Sequence, residues 1–419
     1  VHVAPPIPEE DRKVVPWIRW GGPVILAIAL VLHVVAYRVW PVYALQIDTL
    51  VYRFGGIRVL QGLDLYSVGR NGASDDLLFT YTPFAAVSFM PLALISDHTA
   101  QALVLIVFPM LLVYVTARIL KSFGLTAANG LWSLVALLVG VLLWLQPIRL
   151  SIQLGQINLL ILSVVVADML APGRRKWAGV GIGLAAGIKL TPAVFIVYLV
   201  LIGRVRAALV ATSTLVATVL LGFAVLPSES WRYWIGRAVA DTKRIARDPS
   251  IGSSVQSLFQ RLDYPAWLAT LVVIALLMAS LAVAVLAYRR GYLVLGIAIV
   301  GLASAAASPF SWSHHWVWFV PLIVHLGYRA YVLGSRLSAW TMWVFCAVFA
   351  DWLISFAGQP PPSSILSVRL GGLWDDVIQS AYVFVLVIVL ISTVVWLRQP
   401  SSTSDSTSAD ESVCATPAL

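Results

Sequence analysis

The chain has 419 residues, of which 60% are hydrophobic and only 11% charged, far from the balance of soluble domains. That composition excludes a soluble globular enzyme and predicts an all-α polytopic membrane protein. The net charge of +9 sits on basic residues that stand singly or in pairs between apolar runs, as topology signals do, so no nucleic acid partner is expected.

In chain order, residues 1–16 show no short apolar core ending in a small-residue cleavage site. No signal peptide is read there, and the segment is expected in the cytoplasm. A bilayer core about 30 Å thick needs roughly 20 apolar residues per helix. Runs of that kind predict spans at 17–40, 99–120, 126–146, 157–172, 207–227, 264–288, 291–308, 316–333, 338–356 and 375–397. Basic loop residues from Lys121 to Arg398 fall on one side if 177–204 goes out and returns as two short helices hinged near Lys189 and Pro192. The sequence GVGIGLAAGIKLTP, with its glycines, lysine and proline, suits such a break. The sum is about twelve transmembrane helices with both termini cytoplasmic. The stretch YTPFAAVSFMPLALIS, Tyr81 to Ser96, would spoil the even count if it crossed, so it is predicted to be re-entrant or to lie on the outer surface. One membrane domain, 17–397, therefore carries structured outer loops at 41–98 and 228–263. The polar, low-complexity tail 398–419 is expected to be disordered. Within the second loop, WRYWIGRAVADTKRIARDP reads as an interfacial helix, with Trp231, Trp234, Ile235 and Val239 toward lipid and Arg232, Arg237, Lys243, Arg244 and Arg247 toward headgroups. Cys346 and Cys414 offer no disulfide framework.

Polar groups at membrane depth are costly and mark sites or pathways, and this topology gathers several at the outer side. Asp48 is the first acid beyond the first span. It suits a helix N-cap before TLVYRFGGIRVLQG, and also a general base whose proton affinity is raised by partial burial; the two roles can coexist. QPIRLSIQLGQIN, from Gln146 to Asn158, is too polar for lipid contact and is predicted to be irregular backbone lining a cavity. There Arg149 suits a phosphate, while Gln153, Gln156 and Asn158 suit sugar hydroxyls; helix-packing glue is the other reading of these amides. Lys189 stands at the hinge, either snorkelling to the interface or meeting an anion. In SPFSWSHHWVW, His314 and His315 suggest a lined pocket with one ring facing in. Trp316 and Trp318 read as interfacial belt, with Trp312 kept as a sugar platform. No spaced partner completes a metal site around the histidines, so no metal is expected.

Asp48 in QIDTLVY, YTPF at Tyr81, QLGQIN from Gln153, GIKLTP from Gly187 and SPFSWSHH from Ser308 together cover 17–397. With them the chain resembles the GT-C class of membrane glycosyltransferases, and within it the polyprenol-phosphate-mannose-dependent mannosyltransferases of glycosyltransferase family 87. The resemblance implies a GT-C-type fold and an inverting transfer of mannose from a polyprenyl-phosphate-mannose donor to a mannose 2-hydroxyl. The implied acceptor is a phosphatidylinositol mannoside at the outer face of the plasma membrane, and a lipomannan or lipoarabinomannan branch is the alternative. It implies Asp48 as base; His314, His315, Lys189 and Arg149 around the donor phosphate; Gln153, Gln156, Asn158, Tyr81 and Trp312 around sugars; and no cofactor, with membrane lipids as further partners. A lipid or solute transporter with a broken-helix site at Lys189 is the rival from another class, although no second copy of GIKLTP or QLGQIN is present.

Overall fold

The computed structural model describes residues 13–40, 45–70, 77–172, 175–236, 249–356, 358, 361 and 363–398. The first half is built of α1 (Ile18–Val39), α2 (Ile47–Gln61), α3 (Pro83–Ser88), α4 (Met90–Ala93), α5 (Asp97–Ser122), α6 (Leu131–Leu142), α7 (Gln146–Leu154), α8 (Asn158–Met169), α9 (Val180–Ile188) and α10 (Val194–Leu201). The second half holds α11 (Val205–Val225), α12 (Pro227–Trp234), α13 (Val255–Arg261), α14 (Ala266–Arg289), α15 (Leu293–Ala307), α16 (Phe319–Tyr331), α17 (Arg336–Phe349), α18 (Leu373–Gln379) and α19 (Ala381–Arg398). A two-stranded antiparallel ribbon, β1 (Asp351–Trp352) with β2 (Ser363–Ser364), pairs Asp351 with Ser364.

Five of these helices, α1, α5, α11, α14 and α19, are long and apolar enough to cross a membrane, and the bent pair of α7 and α8 adds a sixth candidate. The protein is a multi-pass membrane protein, but length and composition do not mark twelve crossings. The shortfall lies in helices such as α6 and α15, of 12 and 15 residues, which rise only about 18–22 Å at about 1.5 Å per residue. Apolar sequence there continues into turns: the expected 126–146 span is helical only over Leu131–Leu142, and the expected 338–356 span gives way at Ala350 to β1. The stretch 81–96 holds two helices of six and four residues, neither long enough to cross a membrane, the first capped by Thr82, whose hydroxyl accepts from the Ala85 N–H at 3.1 Å. Of the expected interfacial helix, residues 231–234 belong to α12, and Arg237, Val239, Lys243, Arg244 and Arg247 lie outside the described residues.

Burial divides the helices into two kinds. Every residue of α15 from Val294 to Ala306 is buried, as expected of a helix apolar all round. On α14 only Ala269, Ser280, Ala284 and Ala287 are buried, while Leu271, Ile274 and Met278 are exposed, which leaves a lipid-facing side. Small residues allow the close packing of α1 on α6: a Cβ at Gly22 would collide with the Ser133 carbonyl oxygen.

The segment 177–204 runs out and back along α8. Near the end of α8 the Asp168 carboxylate accepts from the Gly179 and Ile182 N–H groups at 2.8 and 2.9 Å. At its other end Lys189 Nζ donates to Asn158 Oδ1 at 2.9 Å. The chain then returns, and Arg204 donates to the Met169 carbonyl at 2.7 Å. The break between α9 and α10 thus delivers Lys189 to the bend between α7 and α8.

Candidate active site

The bend is the organising feature. Helices α7 and α8 meet at 117°, and Gly155 makes the corner with φ +71°, a conformation that glycine adopts without steric cost. A Cβ there would run into Thr49 Oγ1, whose hydroxyl donates to the Gly155 carbonyl at 3.3 Å. The Gln46 N–H donates to the Gln153 carbonyl at 2.8 Å. These two bonds seat the start of α2, and with it Asp48, against the corner. The segment Gln146–Asn158 is therefore mostly a nine-residue helix rather than irregular backbone, because the turn needs only the residues around Gly155.

Asp48 is the second residue of α2 and half-buried. The N-cap position falls to Gln46, in the left-handed region at φ 43° and with no side-chain cap, so the capping role read from sequence does not apply. Burial pushes the Asp48 carboxyl up to about 6, while the Gln156 side chain and the Lys189 ammonium pull it back. Gln156 Oε1 accepts from Tyr52 Oη at 3.2 Å and from Tyr81 Oη at 3.1 Å. Lys189 Nζ lies 5.8 Å from the Tyr81 ring centroid, within cation–π range.

Asn158 links the lysine to the histidine turn: its Oδ1 accepts from Lys189 and its Nδ2 donates to the His314 carbonyl at 2.9 Å. The turn Ser313–Trp316 follows α15. His315 Nδ1 accepts from the Trp312 N–H at 3.2 Å, which leaves Nε2 carrying the ring proton. Burial, reinforced by Lys189, lowers His314 to about 3 and His315 well below its ordinary value. Both rings are therefore neutral near pH 7, and His315 is a neutral N–H donor. Trp316 and Trp318, 0% and 5% exposed, belong to the core and not to an interfacial belt; Trp318 packs on Phe195 with centroids 4.9 Å apart. Trp312 stands half-buried beside Phe310 and His314.

A small pocket opens between these elements. Its polar lining is Asn158, Lys189, Thr191, Ser304, Ser308 and His315, and its apolar lining is Ile161, Ala305, Val317 and Trp318. Asp48, Tyr81 and Gln156 are not part of that lining; they form a second cluster, joined to the first by Lys189. One sequence candidate is diverted. Arg149 is buried in an ion pair with Asp351 through its Nε, and its NH1 donates to Gln153 Oε1 at 2.6 Å. A guanidinium so neutralised has little charge left for a donor phosphate, and Gln153 is held with it.

Sequence reasoning missed Tyr52, Asp351, Thr191 and Ser308. Tyr52 follows Asp48 by four residues on one helix and so shares its face, a signal that was available. Asp351, an acid closing the apolar run VFCAVFA, was also visible as an anomaly.

The model of glycosyltransferase family 87 matches residues 79–309. The polyprenol-phosphate-mannose-dependent alpha-(1-2)-phosphatidylinositol mannoside mannosyltransferase of Mycolicibacterium smegmatis is 32% identical over 351 residues, 78% of either chain. The protein so named from Mycobacterium tuberculosis is 32% identical over 354 residues, again 78% of each. A polyprenol-phosphate-mannose-dependent alpha-(1-2)-phosphatidylinositol pentamannoside mannosyltransferase of M. tuberculosis is 35% identical over 354 residues, 80% of this chain and 79% of that one. No solved structure matches the chain. A family match across more than half of the sequence, with relatives this similar over most of their length, makes the chain a member of glycosyltransferase family 87 and an enzyme of glycosyl transfer.

Proposed function

We propose that the protein is an inverting α-1,2-mannosyltransferase that moves mannose from polyprenyl-phosphate-mannose to a mannose 2-hydroxyl of a phosphatidylinositol mannoside, working at the outer face of the plasma membrane. The observation that carries this reading is the division of charge at the bend: Lys189 and His315 in one pocket, and Asp48 beside it with a raised proton affinity. The relatives' names supply the donor and acceptor classes.

In this mechanism the donor phosphate enters the pocket, where the Lys189 ammonium and the His315 Nε2–H meet its oxygens, with the Thr191 and Ser308 hydroxyls at hand. Ile161, Ala305, Val317 and Trp318 take the first apolar carbons of the lipid. The acceptor oxygen attacks the anomeric carbon as the bond from that carbon to the phosphate oxygen breaks; the phosphate keeps the bonding electrons, and the acceptor proton passes to Asp48. Cations and N–H donors fixed in advance around the leaving phosphate stabilise its growing charge at no cost of reorganisation. A phosphate leaves without protonation, so one carboxylate suffices where hydrolytic glycosidases use two. Gln153, Asn158, Tyr81 and Trp312 surround the sugars in this reading, and Arg149 supports Gln153.

The test uses purified protein with a synthetic polyprenyl-phosphate-mannose and a phosphatidylinositol mannoside, the product linkage being read by NMR. An α-1,2-linked mannose that disappears in Asp48→Asn is the expected result. Turnover of that variant near the wild-type rate, or product formed only on a lipomannan acceptor, would overturn the mechanism or the acceptor respectively.

A further inference from the structure

The Gln156 carboxamide is engaged asymmetrically. Its oxygen faces both Tyr52 Oη and Tyr81 Oη, at 3.2 and 3.1 Å. The phenol oxygens stand 2.9 Å from each other, and Tyr52 Oη also accepts the Ile157 N–H at 3.2 Å. A phenol has one hydrogen, so two hydrogens serve three oxygen–oxygen contacts, and none is left for a further acceptor. Neither ring can swing away: Tyr52 and Tyr81 are 4% and 9% exposed, they cross edge to face at 5.2 Å, and Tyr52 stacks on Phe89 at 4.6 Å.

With the oxygen held by phenols, the carboxamide N–H groups are the part of Gln156 left for Asp48, one helical turn before Tyr52 on α2, and the Gln156 side chain favours the ionised form of that acid. The flipped amide would set Oε1 against an ionised carboxylate, acceptor against acceptor, at the cost of an unmade bond. We propose that Tyr52 is a positioning residue for the base: with Tyr81 it locks the Gln156 carboxamide so that its N–H groups hold the Asp48 carboxylate in the orientation that receives the acceptor proton. This rests on the reading of Asp48 as base. Tyr52 itself touches neither sugar nor phosphate, because its hydroxyl is enclosed by Tyr81, Gln156 and Ile157.

A hydrogen bond to the charged form of an acid favours that form, so loosening Gln156 makes Asp48 harder to ionise. The experiment measures kcat and KM across about pH 5 to 8 for full-length wild-type protein, Tyr52→Phe, Gln156→Ala and the double variant, with Asp48→Asn alongside. Gln156→Ala is expected to lower kcat about 10-fold and to move the acidic limb of kcat/KM up by about one pH unit. Tyr52→Phe is expected to cost about 3-fold and move the limb up by about half a unit, with the donor KM unchanged. Since Tyr52 acts through Gln156, the double variant should match Gln156→Ala alone. A limb that stays in place in Tyr52→Phe, or costs that simply add in the double variant, would overturn the proposal. If Tyr52→Phe does not fold, Tyr81→Phe removes the other phenol donor and decides the question by the same two readouts. Asp48→Asn separates the two levels: an active Asn variant sinks the base itself, whereas an inactive one beside an unmoved limb sinks only the role of Tyr52.

Discussion

Two acid–base sets lie around the bend of α7 and α8, and the fold treats them in opposite ways. Arg149 and Asp351 meet side chain to side chain, with side chains 7% and 2% exposed, and Asp351 is further tied through its N–H to the Trp144 carbonyl at 2.8 Å. Asp48 and Lys189 form no direct ion pair among the described residues; each reaches an amide instead, Gln156 for the acid and Asn158 for the lysine. A buried pair in contact cancels its own field and serves to join α7 to the ribbon after α17. A pair held apart by amides keeps one charge available for a proton and the other for a phosphate. Direct pairing here marks structure, and interrupted pairing marks chemistry.

The largest effect should come from breaking the interrupted pair. Asp48→Asn keeps the shape but cannot take a proton, and kcat should fall about 10²–10⁴-fold while the thermal midpoint holds; turnover in a donor-transfer assay together with a melting curve checks both. The direct pair should respond the other way. Asp351→Ala leaves a buried guanidinium uncompensated, which costs about 3–5 kcal/mol of stability, visible as a lowered melting temperature, with the folded fraction still able to turn over. Comparable catalytic loss in both variants at unchanged stability would erase the distinction.

A pH profile sharpens the same contrast. Asp48, raised to about 6 chiefly by burial, acts as base only when ionised, and Lys189, lowered to about 8 by burial, meets phosphate as an ammonium only below that value, so kcat/KM should be level between the two. Below the Asp48 value the rate should drop about tenfold per pH unit. For stability the sign reverses, since a carboxyl whose folded pKa is raised favours the protonated fold. This residue therefore adds stability at low pH and loses it as pH rises from the unfolded value near 3.8 through about 6. Activity and stability measured on one sample should thus move in opposite directions over that window.

How much of this was legible in the sequence follows the range of the interactions. The apolar runs, the break at GIKLTP and the polar segment around QLGQIN are local patterns, and each marks a real discontinuity in the helices. Helix lengths were overread because Leu143 and Leu145 are as apolar as the helix before them, yet they form the turn into α7. Trp316 and Trp318 were misplaced because a tryptophan at a span end looks the same in sequence whether it faces headgroups or, as here, the core. The partner of Arg149 lies 202 positions away, and no periodicity carries information over that distance. Tyr52 was within reach of a helical-face argument from Asp48, but a tyrosine in an apolar stretch gives no sign that its hydroxyl orders an amide.

The smallest effect tests the comparison between two neighbours. His314 and His315 are adjacent, one buried and the other half-buried, both neutral, and differ in what each contributes. His314 is engaged through its backbone carbonyl, which accepts from Ser151 Oγ at 3.2 Å and Asn158 Nδ2 at 2.9 Å; these bonds survive replacement of the side chain. His315 lines the pocket with its side chain, fixed by the Trp312 N–H so that Nε2–H is the donor. His315→Ala should therefore raise the donor KM about 3- to 10-fold, the worth of one neutral hydrogen bond. His314→Ala should leave it within about 2-fold, its cost being confined to packing. Binding of a non-hydrolysable donor analogue, compared between the two variants, reads this difference without the chemical step. The opposite ranking would place the other ring on the phosphate and require the turn to rotate when donor binds.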